Sequence, residues 1–155
     1  MRRAGTALPI ILILILFAFL GAAANKSRNE RIFEAPLSGD EEVPPVKTKA
    51  KGEAKFQINK EGDKLTYNLI ISNIKDVTAA YVQKGKKGEN GPPVMNLFIE
   101  STREDVKGKV EPYLLIGPLK EKSLDSFIQL IEAGEAHVNI QTKKHPDGEV
   151  RRQIK

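Results

Sequence analysis

The chain has 155 residues, a formal net charge of +5 and no cysteine. The length favours a single domain, and the lack of thiols excludes a cysteine nucleophile, a thiolate metal site and a disulfide framework. Because the lysines are scattered among acidic residues and aromatic residues are few, the sequence predicts no nucleic-acid partner.

Residues 1–24 have the pattern of a signal peptide: two arginines, an apolar run over residues 7–20, and the small residues Ala22–Ala24 before the polar Asn25. An uncleaved membrane anchor is the alternative, because residues 4–24 carry no charge and are long enough to span a bilayer. Both alternatives predict an extracytoplasmic protein, secreted or anchored to the outer face of the cell membrane. Contact with the membrane is expected only through this segment, if it is not cleaved.

Residues 25–31 are polar and are interpreted as a linker to a β domain over residues 32–155. In that domain, short segments alternate apolar and polar side chains, as half-buried strands do, and turn residues separate them. The segments expected to form strands are Arg31–Leu37, Gly52–Ile58, Lys64–Ser72, Val77–Lys84, Val94–Glu100, Ala136–Thr142 and Glu149–Ile154. Residues 101–112 are polar, contain Gly108 and are predicted to form an exposed loop.

One helix is predicted, over Ser123–Ala133. Ser123 is a suitable N-cap and Gly134 follows as a C′ residue. Apolar residues recur at i, i+3, i+4 and i+7 from Leu124, which forms a single stripe expected to cover a sheet. Many short strands and one short helix predict an all-β fold, either an antiparallel β-sandwich or a Greek-key barrel.

Polar side chains gather on one face of the closing hairpin. Alternation places His137 and Asn139 opposite the apolar Val138 and Ile140, and Pro146-Asp147-Gly148 supplies a turn in which the glycine takes a positive φ. The candidate binding face comprises Tyr81, Gln83, His137, Asn139, Gln141, Glu149 and Arg151. Two interpretations stay open. One is an internal polar network, with Arg151 paired to Glu149 or a backbone carbonyl and Asn139 fixing a loop; the other is a ligand site.

Residue types that make catalytic and metal sites are sparse. The chain has two histidines, His137 and His145, whereas a zinc or copper site normally needs three or four good ligands. No serine lies in a Gly-x-Ser-x-Gly elbow, and the glycine-rich Gly85–Gly91 has neither the spacing nor the following helix of a phosphate loop. The sequence therefore predicts no catalytic residue, no metal, no cofactor and no enzymatic activity.

Three segments carry a family resemblance. Residues 33–39 read F-E-A-P-L-S-G, and Glu42–Val46 follow as E-V-P-P-V. Residues 78–92 contain T-A-A-Y-V-Q and G-E-N-G-P, and residues 138–154 contain V-N-I-Q-T and G-E-V-R-R-Q-I. In this order they are similar to the motifs of the CHRD domain, named from chordin, and the chain resembles the single-domain exported type of microbes. The resemblance implies a β-sandwich or barrel of an immunoglobulin-like or superoxide-dismutase-like kind, and it implies no settled activity.

The chain departs from the family pattern at the histidines. Where the central motif has His-Ile-His, this chain has Tyr81-Val82-Gln83, and where the closing motif has Tyr-Val-Asn-Val-His, it has His137–Gln141. If the two strands are adjacent, a Tyr/His pair has exchanged its members and a His/His pair has become Gln83 with Gln141. Glutamine hydrogen-bonds as a neutral histidine does but is a poor transition-metal ligand. The departures therefore favour a hydrogen-bonded polar layer over a metal or redox role.

The function expected from these observations is that of a non-enzymatic extracytoplasmic β domain serving in binding or surface structure, with an unknown protein or cell-surface ligand as its partner. The alternative is a divergent metal-dependent or redox protein of the superoxide-dismutase-like kind. A third option is attachment to an anionic surface through the lysine-rich segment Lys84–Lys87.

Overall fold

The computed structural model describes residues 29–99 and 105–155, so the predicted signal peptide or anchor and residues 25–28 of the predicted linker lie outside it. The strands are β1 Arg31–Ser38, β2 Lys51–Ile58, β3 Leu65–Ser72, β4 Val77–Lys84, β5 Pro93–Ile99, β6 Asp105–Lys109, β7 Ala136–Thr142 and β8 Val150–Gln153. The α-helix, α1, spans Leu124–Glu132, and short 3₁₀ helices span Gly39–Glu41, Pro112–Leu114 and Gly117–Leu119.

The eight strands form one antiparallel sheet in the order β5-β4-β7-β8-β1-β2-β3-β6, which coils into a nearly closed barrel. The phenol of Tyr67 on β3 donates to the carbonyl oxygen of Leu97 on β5 at 2.9 Å and so links one end strand to the strand next to the other end. The predicted all-β antiparallel fold with one short helix is confirmed. Strand β8 lies between β7 and β1 and joins the two halves of the sheet, β5-β4-β7 and β1-β2-β3-β6.

The helix packs over the apolar side of the sheet. The ring of Phe127 on α1 lies 6.4 Å from that of Phe56 on β2, and burial of one such side chain stabilises the fold by roughly 1.5–3 kcal/mol. The predicted caps are confirmed, because the Ser123 side chain accepts from the N–H of Ser126 and Gly134 takes a φ of 68°. No helix among residues 29–99 and 105–155 is long and apolar enough to cross a membrane.

One prediction was wrong: residues 105–112, the part of the predicted loop 101–112 that the structure describes, are not simply an exposed loop. Asp105–Lys109 is strand β6, which pairs with β3 along its whole length. The sequence of β6 lacks the alternation that predicts a strand. Charged residues occupy its outer face, and Val106 is the only apolar residue on its inner face. Gly108 takes the next inward position, where a Cβ atom would lie 2.6 Å from the ring of Tyr67. A tyrosine of the neighbouring strand fills the space that an apolar side chain of β6 would otherwise take.

Candidate functional site

A layer of polar side chains lies on the outer side of β4, β7 and β8. Because β7 points Val138 and Ile140 into the core, His137 and Asn139 point outward, yet these two are only 0% and 1% exposed. Two loops cover the layer: the first loop, residues 39–50, follows β1, and the second loop, residues 85–92, joins β4 to β5. We call this buried set the polar layer; it comprises Glu42, Gln83, His137, Asn139, Arg151 and Gln153.

The register of the strands sets which members of the layer are neighbours. Gln83 on β4 lies opposite His137 on β7, and Tyr81 lies opposite Asn139. The predicted pairing of Gln83 with Gln141 is therefore wrong, because Gln141 pairs nearer the other end of β4. The predicted exchange within a Tyr/His pair is wrong for the same reason, since the strand partner of Tyr81 is Asn139 and not His137.

Arg151 fastens the second loop to the sheet. Its side chain is 2% exposed, and its guanidinium donates to Oδ1 of Asn90 at 2.8 Å and to the backbone carbonyls of Glu89 and Lys86. Nδ2 of Asn90 in turn donates to the carbonyl of Val43 in the first loop at 2.8 Å. The planar fork of arginine suits this task because it holds several acceptors in one geometry. One arginine thus ties both loops to β8.

Of the two partners considered for Arg151, the structure has the backbone carbonyl and not Glu149. The Glu149 carboxylate instead accepts from the hydroxyl of Thr48 at 2.7 Å and from that of Thr142 at 2.8 Å. Thr48 belongs to the first loop and Thr142 to β7, so Glu149 gives the first loop another attachment to the closing hairpin.

Glu42 carries a buried carboxyl group at the start of the first loop and is 5% exposed. Nδ2 of Asn139 donates to its two oxygens at 3.2 and 3.4 Å and to the carbonyl of Asp147 at 3.2 Å, so Asn139 fixes a loop as predicted. Burial raises the pKa of Glu42 to about 7, an effect that the charge of Arg151 and the N–H of Val43 partly oppose. The carboxyl therefore changes charge near neutral pH.

His137 is held as a neutral ring. Its Nε2 lies 3.0 Å from Oε1 of Gln83, and because a carbonyl oxygen only accepts, the ring proton is on Nε2. Burial, and after it the positive charge of Arg151, lowers the pKa of His137 to about 4, while the backbone of Gly85 acts in the opposite direction. The imidazole is therefore uncharged at neutral pH and serves as a hydrogen-bonding group.

Two members of the layer, Glu42 and Gln153, were not in the predicted binding face, although alternation puts Gln153 on the same side of its strand as Arg151. Nε2 of Gln153 donates to the carbonyls of Gly85 and Gly134 at 3.1 and 2.7 Å. Its alternation with Arg151 along β8 is the signal that identifies it. Glu42 lies in a loop without periodicity, and the E-V-P-P-V motif alone marks it. Two of the expected residues, Tyr81 and Gln141, are only half-buried and lie at the margin of the layer.

No metal-binding site is found in the part of the chain that the structure describes. No group of three or more His, Cys, Asp or Glu side chains there could hold a metal ion. No observation on these residues therefore favours the metal-dependent or redox alternative.

The fold and the polar layer define a class of protein: an all-β domain that fastens surface loops against one side of its sheet. The family model of the CHRD domain matches residues 33–154, so the chain belongs to the CHRD domain family, as the resemblance predicted. This is a family of generally non-catalytic β domains, consistent with a binding or structural module. No curated protein and no solved structure matches the chain.

Proposed function

We propose that this CHRD domain is a non-enzymatic binding or surface-structural module that works outside the cytoplasm. The observation that carries the proposal is the buried Arg151, which holds the second loop directly and the first loop through Asn90. Loops already held in one geometry lose little freedom when a partner binds, so they form a preorganised surface. Their attachment to a sheet strand gives that surface a rigid support.

The hydrogen bonds of the layer support binding over catalysis. His137 is bonded to Gln83 through Nε2 and Glu42 accepts from Asn139, while Nδ1 of His137 is buried without a hydrogen-bond partner among the described residues. A catalytic base needs a nucleophile or a substrate proton within about 3 Å. The groups of this layer instead use their hydrogen bonds to join neighbouring strands and to hold the loops.

The proposed location is supported by the signal-peptide pattern of residues 1–24. Its test is the N-terminal sequence of the protein purified from its native cells, combined with cell fractionation. A chain that begins at Asn25 in the medium, or an intact chain on the outer face of the membrane, is the expected result. An intact chain in the cytoplasm would contradict the location and leave the binding role to its own test.

The binding role is tested by a pull-down from the native cell surface with three baits: the wild type, Arg151→Ala and Arg152→Ala. Arg152 is the matched control, because it has the same charge and the adjacent position but makes one partly exposed ion pair, with Glu41 at 2.7 Å, and does not contact the second loop in the described residues. For a binding module we expect a partner that the wild type and Arg152→Ala retain and that Arg151→Ala loses severalfold.

A surface-structural module gives a different result. Arg151→Ala then keeps the partners that the wild type retains, although it lowers thermal stability. Equal retention and equal stability of all three baits would contradict both forms of the proposal, because neither would then depend on the fastened loops.

A further inference from the structure

A cleft of about 280 Å³ lies between the first loop and the turn of the closing hairpin. Its apolar lining consists of Val43, Pro44, Pro45, Val46 and Pro146. The carboxyl of Glu42 also lines it, and Gly148 borders it from the hairpin. Ligand pockets are commonly apolar with a few placed polar groups, and those for drug-sized molecules measure roughly 300–1,000 Å³. The volume of this cleft suits a single side chain.

The carboxyl of Glu42 is incompletely paired. None of the ion pairs within the described residues includes it, and its side-chain donor is the neutral amide of Asn139, at 3.2 and 3.4 Å. The nearby Arg151 directs its guanidinium to Asn90 and to backbone carbonyls instead. A buried carboxylate whose donors, the amide of Asn139 and the N–H of Val43, are both neutral is costly, so this group can accept a further hydrogen bond from a cation.

Gly148 lets the hairpin turn approach that carboxyl closely. A Cβ atom at this position would lie 2.6 and 2.7 Å from the two carboxyl oxygens of Glu42. The turn also carries a second group that can form a further hydrogen bond, because Nε2 of His145 is buried without a hydrogen-bond partner among the described residues. An acid without an ion pair and an imidazole nitrogen without a hydrogen-bond partner therefore border one small cleft, which Lys144 and Asp147 also line.

We infer that this cleft binds an alkylammonium group, that of a lysine side chain on a partner protein, with the ammonium against Glu42 and the methylene stem between the prolines. The inference rests on the proposed binding role and gives it a ligand chemistry. A charge-assisted hydrogen bond from the ammonium is stronger than the neutral amide contact it joins. A lysine stem gains from apolar contact while its charged end is paired.

Charge complementarity makes the binding depend on pH. Only the ionised form of Glu42 attracts the ammonium, and burial raises its pKa to about 7. The other charged or titratable groups around it are Glu41, Arg151, Lys144, His145 and Asp147. Binding is therefore expected to strengthen as pH rises through 7, and bound lysine in turn lowers the pKa of Glu42.

The test uses ¹⁵N-labelled protein purified from cells that express the full chain, titrated with Nα-acetyl-lysine methylamide. We expect the backbone amide of Gly148 and the side-chain amide of Asn139 to shift, with a dissociation constant on the order of 1 mM. The affinity at about pH 8 should exceed that at about pH 5.5 at least tenfold. Nα-acetyl-norleucine methylamide, which has a similar stem without the charge, should not bind.

Glu42→Gln keeps an acceptor for Asn139 and removes the charge, so it should lose the lysine probe at least tenfold. Asp40→Asn is the matched control: it removes one charge from an exposed neighbour and should bind as the wild type does. Equal binding of the norleucine probe, equal binding by Glu42→Gln, or no shift at all would overturn the inference. A pull-down partner that the lysine probe does not displace would overturn it while leaving the proposed function intact.

Discussion

Nε2 of His137 donates a hydrogen bond to Oε1 of Gln83 at 3.0 Å, directly across the pairing of β4 with β7. The bond belongs to the neutral imidazole, whose pKa is lowered from 6.5 to about 4. As pH falls from 6.5 to 4, the unfolded chain takes up a proton before the folded chain does. His137 therefore contributes stability that is present above pH 6.5 and is lost towards pH 4, about 3 kcal/mol in all.

Glu42 affects the pH dependence of stability in the opposite direction to His137. The first prediction follows from comparing the two residues. Its pKa is raised from 4.5 to about 7, so its contribution is present below pH 4.5 and is lost as pH rises through 7, again about 3 kcal/mol. We expect the two effects to offset each other, so that the free energy of unfolding of the wild type changes little between pH 4.5 and 6.5. Urea unfolding across a pH series measures this.

Single variants should separate the two contributions. In His137→Gln the free energy of unfolding should rise as pH falls from 7 to 4.5, because only the Glu42 effect remains. In Glu42→Gln it should fall as pH drops from 6.5 to 4, because only the His137 effect remains. Slopes in both variants that match the wild type would show that neither group has the pKa assigned to it.

The second prediction concerns the arginine that fastens the loops. Arg151→Ala leaves the Oδ1 atom of Asn90 and two backbone carbonyls without their donor, and it should lower the free energy of unfolding by roughly 3 kcal/mol or more. Arg152→Ala removes a pair that is about a third exposed and should cost at most about 1 kcal/mol. Equal losses in urea unfolding would contradict the structural role of Arg151.

Arg151→Lys separates charge from geometry. The ammonium keeps the positive charge but loses the planar fork, so stability should fall while the pKa of His137 stays low. In Arg151→Ala the pKa of His137 should rise from about 4 and that of Glu42 should rise above 7, because a positive charge near both is removed. An NMR pH titration of the imidazole and carboxyl carbons reads both values.

The third prediction concerns the close approach of the hairpin turn to the first loop. Gly148→Ala adds a Cβ that would lie 2.4 Å from Nδ2 of Asn139, and the residue has a φ of 142°. Strain and clash together should cost more than about 2 kcal/mol. Gly88→Ala is the control, because that glycine also has a positive φ, of 82°, but has open space around it. Thermal unfolding should show a small loss for Gly88→Ala and a large one for Gly148→Ala.

The fourth prediction concerns the contact between β3 and β5. Tyr67→Phe removes the hydrogen bond to the carbonyl of Leu97, and its loss from a buried site should cost about 1 kcal/mol. Tyr113→Phe removes a hydroxyl from a side chain that is 80% exposed and should leave the free energy of unfolding unchanged. If the two variants are equally stable, the Tyr67 contact contributes nothing to closing the sheet.

The fold was predictable where burial imposes a period of two on the sequence. Strand β2 alternates apolar and polar residues along its whole length, β3 does so except at the outward Ile70, and both were found. Strand β6 was not, because Gly108 supplies no apolar signal and the ring of Tyr67 fills its place. The pattern within one strand does not show that a side chain of the neighbouring strand fills one of its inward positions.

The polar layer was predictable only in part, for a related reason. Alternation along β7 and β8 found His137, Asn139 and Arg151. It did not reveal that Glu42 meets Asn139 or that Asn90 meets Arg151, because these partners lie on loops far away in the sequence. The register of β4 against β7 was likewise not encoded in either strand alone, which is why the expected Gln83–Gln141 pair was wrong.

The central place of β8 has a consequence for the order of folding. Ser38 of β1 meets Arg151 of β8, so the two half-sheets join only after most of the polypeptide has been synthesised. Such long-range pairing slows folding, and a chain cut before residue 150 would expose the hydrogen-bonding edges of β1 and β7. Two bare edges invite aggregation, so premature termination should yield insoluble product instead of a smaller folded domain.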